Sequence, residues 1–420
     1  MIIILLFLSF LGISYGGGKV HYLTLKNGVR IIVEETHGRG IVSGSIFIKG
    51  GTHGEKKRGT THLMATLLIR GTKSYDAYSI ASTFEDWGGS ISTSTADDYV
   101  EISFSTRPQG FEKALEVIKS ILTEPLFSQD DLSREKNNTI VAIRASRERG
   151  FDFAMEHLRR ITYRGTSYEV SPLGREEDIQ NITREDLLER WRQLVKGGNV
   201  VVSISGDISW DQVRGKLEEA FSSLPAGSYP VDTVSTYIEE TKLEKVEREG
   251  SQATIMCAFN AVPYNSKDYF AFKVLTSILG DGMNSKLFKE LREKKGYAYA
   301  TFAMYPTRLA SPRLIAYIGT SPQKAQDALQ DLVKVILHSP IEEGDLQLAK
   351  KRMVGDYILD HQTRARRAWY RGFYEVLGLG YKTDDEYVSR IQEVRWEDIK
   401  RLRENLGDKY HCVVVQPPKI

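Results

Sequence analysis

Several segments of the first half of this 420-residue chain recur in the second half at a nearly constant offset. VIKSILTEP (117–125) answers to LVKVILHSP (332–340), placing Lys119 against Lys334, an offset of 334 − 119 = 215. ITREDLLERW (182–191) answers to VRWEDIKRLR (394–403), placing Asp186 against Asp398, an offset of 398 − 186 = 212. A strand-like run follows each of these last two, NVVVSISGD from Asn199 and HCVVVQP from His411. SGSIFIKGGT (43–52) resembles ATIMCAFNAV (253–262). A repeat of this length is a fold built twice, so the chain divides into two homologous halves of roughly 200 residues. The expected boundaries are a first repeat over 17–225, a linker with the first strand of the second repeat over 226–250, and a second repeat over 251–420. The linker follows from the Pro, Gly and charge run of PAGSYPVDTVSTYIEETKLEKVEREG.

Within a repeat the hydrophobic period switches between two and 3.6. Residues 22–33 read as a hairpin closed by Asn27-Gly28, and 41–48 as a strand. Residues 60–70 carry apolar side chains at 63, 64, 67 and 68, which is helical spacing. Residues 90–106 hold two alternating strands, and 111–122, 130–149 and 183–195 read as helices before a closing strand at 199–205. Strands joined by hairpins and interleaved with helices give an α+β fold with mostly antiparallel sheets in each half.

Charge excludes one class of function. With 57 Lys+Arg against 55 Asp+Glu, the net charge of +2 does not support a polyanion binder driven by bulk electrostatics. The glycine pair Gly378 and Gly380 lacks the strand–helix context of a nucleotide loop, and no nucleic-acid module is present. Cys257 and Cys412 lie in apolar strand-like runs, the setting of buried thiols, with a disulfide as the alternative in an oxidising compartment. Residues 2–13 (IIILLFLSFLGI) have the length of a signal-peptide core and precede the small-x-small Ser14-Tyr15-Gly16. Cleavage near Gly16 would put the mature chain in the periplasm or outside the cell; an uncleaved membrane tether is the alternative.

GTTHLMATLLIRGT (59–72) resembles the zinc helix of the insulinase/pitrilysin peptidases, the inverzincins, whose motif is H-x-x-E-H. The flanks match, from Gly59 through Leu63, Leu67 and Leu68 to Gly71-Thr72, and His62 matches the first histidine. The chemistry does not. Ala65 replaces the glutamate base and Thr66 the second histidine. The third-ligand site falls in TIVAIRAS (139–146) at Ala142, with Val141 and Ile143 as the adjacent registers. Catalytic zinc needs three protein ligands, so the expectation is no metal and no cofactor in this chain, with His62 a retained structural residue. His21, His37, His53, His157, His338, His361 and His411 provide no replacement set at ligand spacing.

ILGDGMNSKLFKELREKKGYAYATF (278–302) resembles the second-half signature of the same family, which pairs an arginine with a tyrosine seven positions on. Arg292 and Tyr299 match them, 299 − 292 = 7. The resemblance, spanning essentially residues 20–418, implies that this pair positions the substrate backbone and stabilises an oxyanion. It further implies a non-catalytic subunit of the mitochondrial-processing-peptidase-like type, in a heterodimer whose sister chain keeps H-x-x-E-H and zinc and acts on peptides or unfolded segments. A zinc-free scaffold or peptide-binding protein of the same fold is the alternative. Two charged stretches are expected to be solvated: Glu55–Arg58 as a loop, and Arg364, Arg366 and Arg367 as a helix face.

Overall fold

The computed structural model describes residues 18–231 and 233–418. The signal segment expected at 1–16 and the membrane tether it would form lie outside these residues. Among the described residues no helix is long and apolar enough to cross a membrane.

The first sheet contains β1 (Val20–Thr24), β2 (Arg30–Glu35), β3 (Val42–Lys49), β4 (Ser90–Thr95), β5 (Tyr99–Thr106) and β6 (Val200–Gly206), in the order β1-β2-β6-β3-β5-β4. The second contains β7 (Lys242–Glu247), β8 (Ala253–Asn260), β9 (Ala300–Met304), β10 (Arg313–Thr320) and β11 (Tyr410–Gln416), in the order β7-β11-β8-β10-β9. β2 pairs parallel with β6, and β7 parallel with β11; every other pairing is antiparallel. The second sheet therefore repeats β2-β6-β3-β5-β4 strand for strand. Between and after the first-sheet strands come α1 (Thr60–Leu68), α2 (Ala77–Glu85), α3 (Phe111–Thr123), α4 (Gln129–Glu148), α5 (Gly150–Thr162), α6 (Glu176–Asn181), α7 (Arg184–Leu194) and α8 (Trp210–Ser222). The second half adds α9 (Tyr269–Gly280), α10 (Ala325–His338), α11 (Glu343–Asp360), α12 (Arg364–Leu377), α13 (Thr383–Glu393) and α14 (Trp396–Glu404). The fold is α+β with two homologous halves, as the repeat implies. Gly28, at φ 97°, supplies the left-handed turn residue that closes β1 onto β2.

Each half has its own core on one face of its sheet. The opposite faces are covered by exchange. α5 of the first half lies on β8 and β11, with Ala154 and Leu158 against Met256, Ala258 and Val413. α12 of the second half lies on β3 and β6, where Val376 and Leu377 join a cluster with Ile32, Phe47 and Val201. The approach of α12 requires a glycine: a Cβ on Gly372 would come within 2.5 Å of the Phe47 ring. With both faces buried, β6 and β8 read as continuous apolar runs rather than alternating ones.

The exchanged helices also carry charge across. Arg367 on α12 grips both carboxylate oxygens of Glu34, which is fully buried on β2, and Arg371 reaches Glu34, Asp384 and Asp385. Burial pushes the Glu34 carboxyl up, but Arg367, Arg371 and the Ser205 hydroxyl outweigh it and hold it below its ordinary range. The second sheet repeats the device: Glu244 on β7, 244 − 34 = 210 residues on, takes His157 and Arg160 from α5. The arginine run on α12 is therefore not a solvated face. Arg366 pairs with Asp360 and Arg367 is tied to the other half, because the helix is laid on a foreign sheet with a buried acid beneath it.

Cys257 and Cys412 are directly opposed on β8 and β11 and form a disulfide, so the reading as free buried thiols is corrected. Cross-strand register, which residue spacing does not encode, brings them together. Beside them His411 is 6% exposed, and burial, with Lys242 and Arg313 nearby, lowers its pKa from 6.5 to about 4. The folded chain therefore favours neutral His411, and the unfolded chain takes up a proton first as pH falls below 6.5. Between pH 7.5 and 5 the stability contributed by this residue should drop by about 1–2 kcal/mol, solvent screening included. Urea titrations at the two pH values check this: His411→Gln should flatten that part of the dependence.

Candidate functional site: a degraded zinc face and an exposed arginine–tyrosine pair

α1 begins at Gly59, which has φ 102° and no side chain with which to cap the helix. Glu55 supplies the cap from the preceding loop, accepting from the Thr61 N–H (2.6 Å) and the Gly59 N–H (3.2 Å). Lys57 pairs with Asp186 at 2.7 Å, and Lys56 with Glu189 at 3.0 Å. Glu55–Arg58 is therefore a clamp on the start of α1, not a free loop.

His62 faces a cavity of about 410 Å³ bounded by β4, α4, α5 and the 169–175 segment. Burial lowers its pKa, partly countered by the nearby Glu135, so the imidazole is held neutral. Ala65 is 1% exposed and packs in the first core. The Thr66 hydroxyl donates back to the His62 carbonyl at 2.9 Å, so it is spent on its own helix. On α4, Ala142 is on the exposed side, whereas Ile143 is buried and lines the cavity with His62. One residue along a helix turns the side chain by about 100°, so the fine register is set by helix packing. Aliphatic Ile143 is no better a ligand than Ala142. Among the described residues, no group of three or more His, Cys, Asp or Glu side chains has an arrangement that can hold a metal ion. The residues here do not fit zinc, and no zinc step is derived for this chain.

Arg292 lies in a π-helical segment, Phe288–Lys294, of the kind that recurs at functional sites. It is exposed, with its guanidinium 5.2 Å from the centre of the Phe288 ring, and has no ion-pair partner among the described residues. The chain then turns at Gly296 (φ 60°) into β9. Tyr299 donates its backbone N–H to Gly319, while its ring is 55% exposed. That ring lines a cavity of about 1230 Å³ shared with Lys245, Glu247, Ser321, Gln323 and Gln416. The His62 and Tyr299 cavities have no lining residue in common. Both side chains are exposed, and Arg292 does not line the Tyr299 cavity.

A sequence profile described as Insulinase (Peptidase family M16) matches residues 30–175, and one described as Peptidase M16 inactive domain matches residues 181–353. The chain belongs to the M16 peptidase family. It is 26% identical over 404 residues to an uncharacterized zinc protease, YmxG, of Bacillus subtilis, covering 94% of this chain and 97% of the relative. It is 26% identical over 383 residues to a non-peptidase homolog, YmxG, of Helicobacter pylori, covering 88% and 87%. It is 20% identical over 401 residues to the mitochondrial-processing peptidase subunit beta of Dictyostelium discoideum, covering 91% and 85%. Among solved structures, a peptidase M16 inactive domain from Pseudomonas fluorescens superposes with TM-score 0.88 at 20% identity, covering 95% of this chain and 98% of the other. The periplasmic protease PqqL of Escherichia coli superposes with TM-score 0.78 at 15% identity, covering 95% and 45%. These likenesses place the M16 fold over essentially the whole described chain.

Proposed function

We propose that this chain is the non-catalytic subunit of a heterodimeric M16 peptidase acting on peptides or unfolded protein segments. The observation that carries the reading is an asymmetry. The zinc face has lost its chemistry at Ala65, Thr66 and the α4 position, yet the Arg292 and Tyr299 side chains stand exposed, with no ion-pair or side-chain hydrogen-bond partner among the described residues. A permanent forked cation and a neutral phenol donor suit an oxyanion formed in another chain's site. In this reading a sister chain with intact H-x-x-E-H holds the zinc, and this chain supplies the opposing wall. A periplasmic or secreted location is supported by the Cys257–Cys412 bond, which persists in oxidising compartments.

The test is cleavage of a quenched fluorescent peptide library by this chain alone, by the sister chain alone and by the two co-expressed. Chelator-sensitive activity in the mixture only is expected. Activity from this chain alone would overturn the assignment. Silence in every case, with stable association to a membrane complex, would favour the zinc-free scaffold, and peptide retention without cleavage would favour a peptide-binding protein.

A further inference from the structure

The second repeat contains its own version of the His62 cavity, with different chemistry. In the first half that cavity lies between edge strand β4 (Thr95), α1 (His62), α4 (Ile143) and α5 (Met155, Arg159). In the second half a cavity of about 380 Å³ lies between edge strand β9 (Ala303, Met304), α9 (Lys273, Thr276), α11 (Met353, Tyr357) and α12 (Tyr370, Tyr374). Strand by strand and helix by helix it occupies the equivalent place. Its walls are Tyr305, Tyr357, Tyr370, Tyr374 and Tyr387 with two methionines. Five tyrosine rings and two methionines beside convergent polar and charged groups, at this volume, suit a small-molecule site.

The polar groups decide what fits. Asp281 and Asp356 share Arg352 (3.0 and 3.4 Å), and Asp360 pairs with Arg366. The Tyr357 hydroxyl donates to the Asp384 carbonyl at 2.6 Å, the Tyr305 hydroxyl to the Val262 carbonyl and the Tyr370 hydroxyl to Asp360. Three donors are left over. The Tyr374 and Tyr387 hydroxyls make no hydrogen bond within the described residues, although Tyr374 is only 3% exposed. Lys273 has no carboxylate within 4 Å; its ammonium sits 5.1 Å from the Tyr269 ring centre. An organic cation is disfavoured because Arg366 already covers the Tyr370 ring (4.9 Å), while Tyr357 and Tyr387 stack on each other at 4.7 Å.

We propose that this cavity binds an organic carboxylate with an aromatic body. The carboxylate meets Lys273 and the free Tyr374 and Tyr387 hydroxyls, and the body lies among the tyrosine and methionine walls. The ligand is a free acid or the C-terminal residue of a peptide. The proposal does not depend on a sister subunit.

Titration calorimetry of the full chain at pH 7.5 tests it with four probes: 3-phenylpropionate, phenethylamine, phenylacetamide and the tripeptide Gly-Gly-Phe. The acid should bind at least 10-fold more tightly than the amine or the amide. Binding of 3-phenylpropionate but not Gly-Gly-Phe identifies a free acid; binding of both identifies a peptide C-terminus as an admissible source. Lys273→Met should weaken the acid by 10-fold or more, and Tyr374→Phe, which keeps the ring, by several-fold with an unchanged melting temperature. Equal or tighter binding of the amine, an unaltered affinity in Lys273→Met, or no saturable heat with any probe up to millimolar concentration overturns the proposal.

Discussion

Replacing Asp97 by Asn should cost this protein about 3–5 kcal/mol, the effect of leaving buried charge without its counter-ion. Asp97 lies between β4 and β5 of the first half and receives two arginines. Arg159 of α5 donates from both terminal nitrogens (2.9 and 3.1 Å), and Arg308 of the second half donates from Nε and Nη2 (3.1 and 3.0 Å). The Arg308 guanidinium also lies over the Tyr163 and Tyr168 rings, at 4.7 and 5.0 Å, and donates to the Tyr163 hydroxyl. Next to it Asp98 accepts from the Tyr168 hydroxyl (2.7 Å) and the Leu309 N–H (3.1 Å), and contacts His53 at 2.7 Å. This cluster joins the β4–β5 turn of the first half to the β9–β10 connection of the second.

Burial alone would raise the Asp97 carboxyl, but Arg308 and Arg159 outweigh it and hold it below its ordinary value of 3.8. A carboxylate depressed in this way stabilises the fold above pH 3.8, and that contribution is lost as pH falls through the lowered value. Urea unfolding at pH 7.5 should therefore show Asp97→Asn far less stable than wild type, with a weaker acid dependence below pH 4. Arg308→Met should lose a comparable amount, and the double variant less than the sum, because both changes remove one contact. A loss below about 1 kcal/mol in Asp97→Asn would show that the cluster does not hold the halves together.

Under the proposed subunit role, Arg292→Ala should lower turnover by the two-chain assembly about 10²–10³-fold, the cost of removing one oxyanion donor. Tyr299→Phe should cost less, since the phenol is a neutral donor. Stability should change little in either variant: Arg292 has no ion-pair partner among the described residues and Tyr299 is 55% exposed. The discriminating readout is the split between kcat and KM at unchanged melting temperature. A donor to the transition state lowers kcat and kcat/KM together, whereas a wall residue raises KM alone. Full turnover in Arg292→Ala would remove the assigned role and leave the pair as surface.

His62, Ala65 and Thr66 were legible as neighbours on one helix, a local element whose period is written in the chain. The third position was legible only as a neighbourhood, since α4 packing, not spacing, turns Ile143 rather than Ala142 into the cavity. The donors of the second cavity carry no motif. Lys273, Tyr374 and Tyr387 come from α9, α12 and α13, and they matter only because their neighbours' polar groups are already satisfied.

The sequence by itself determined the duplication, the α+β class, the family and which residues stand at the zinc-helix positions. Each of these resides in local periodicity or in the identity of residues within one segment. Only the tertiary structure decided that α5 and α12 exchange sheets, that Glu34 and Glu244 each meet an arginine from the other half, that Asp97 meets Arg308, and that Cys257 meets Cys412. Those contacts join residues 84 to 337 positions apart. A buried charge or thiol looks the same along the chain whether its partner is solvent or another strand, and it is burial of both sheet faces that makes the partner obligatory.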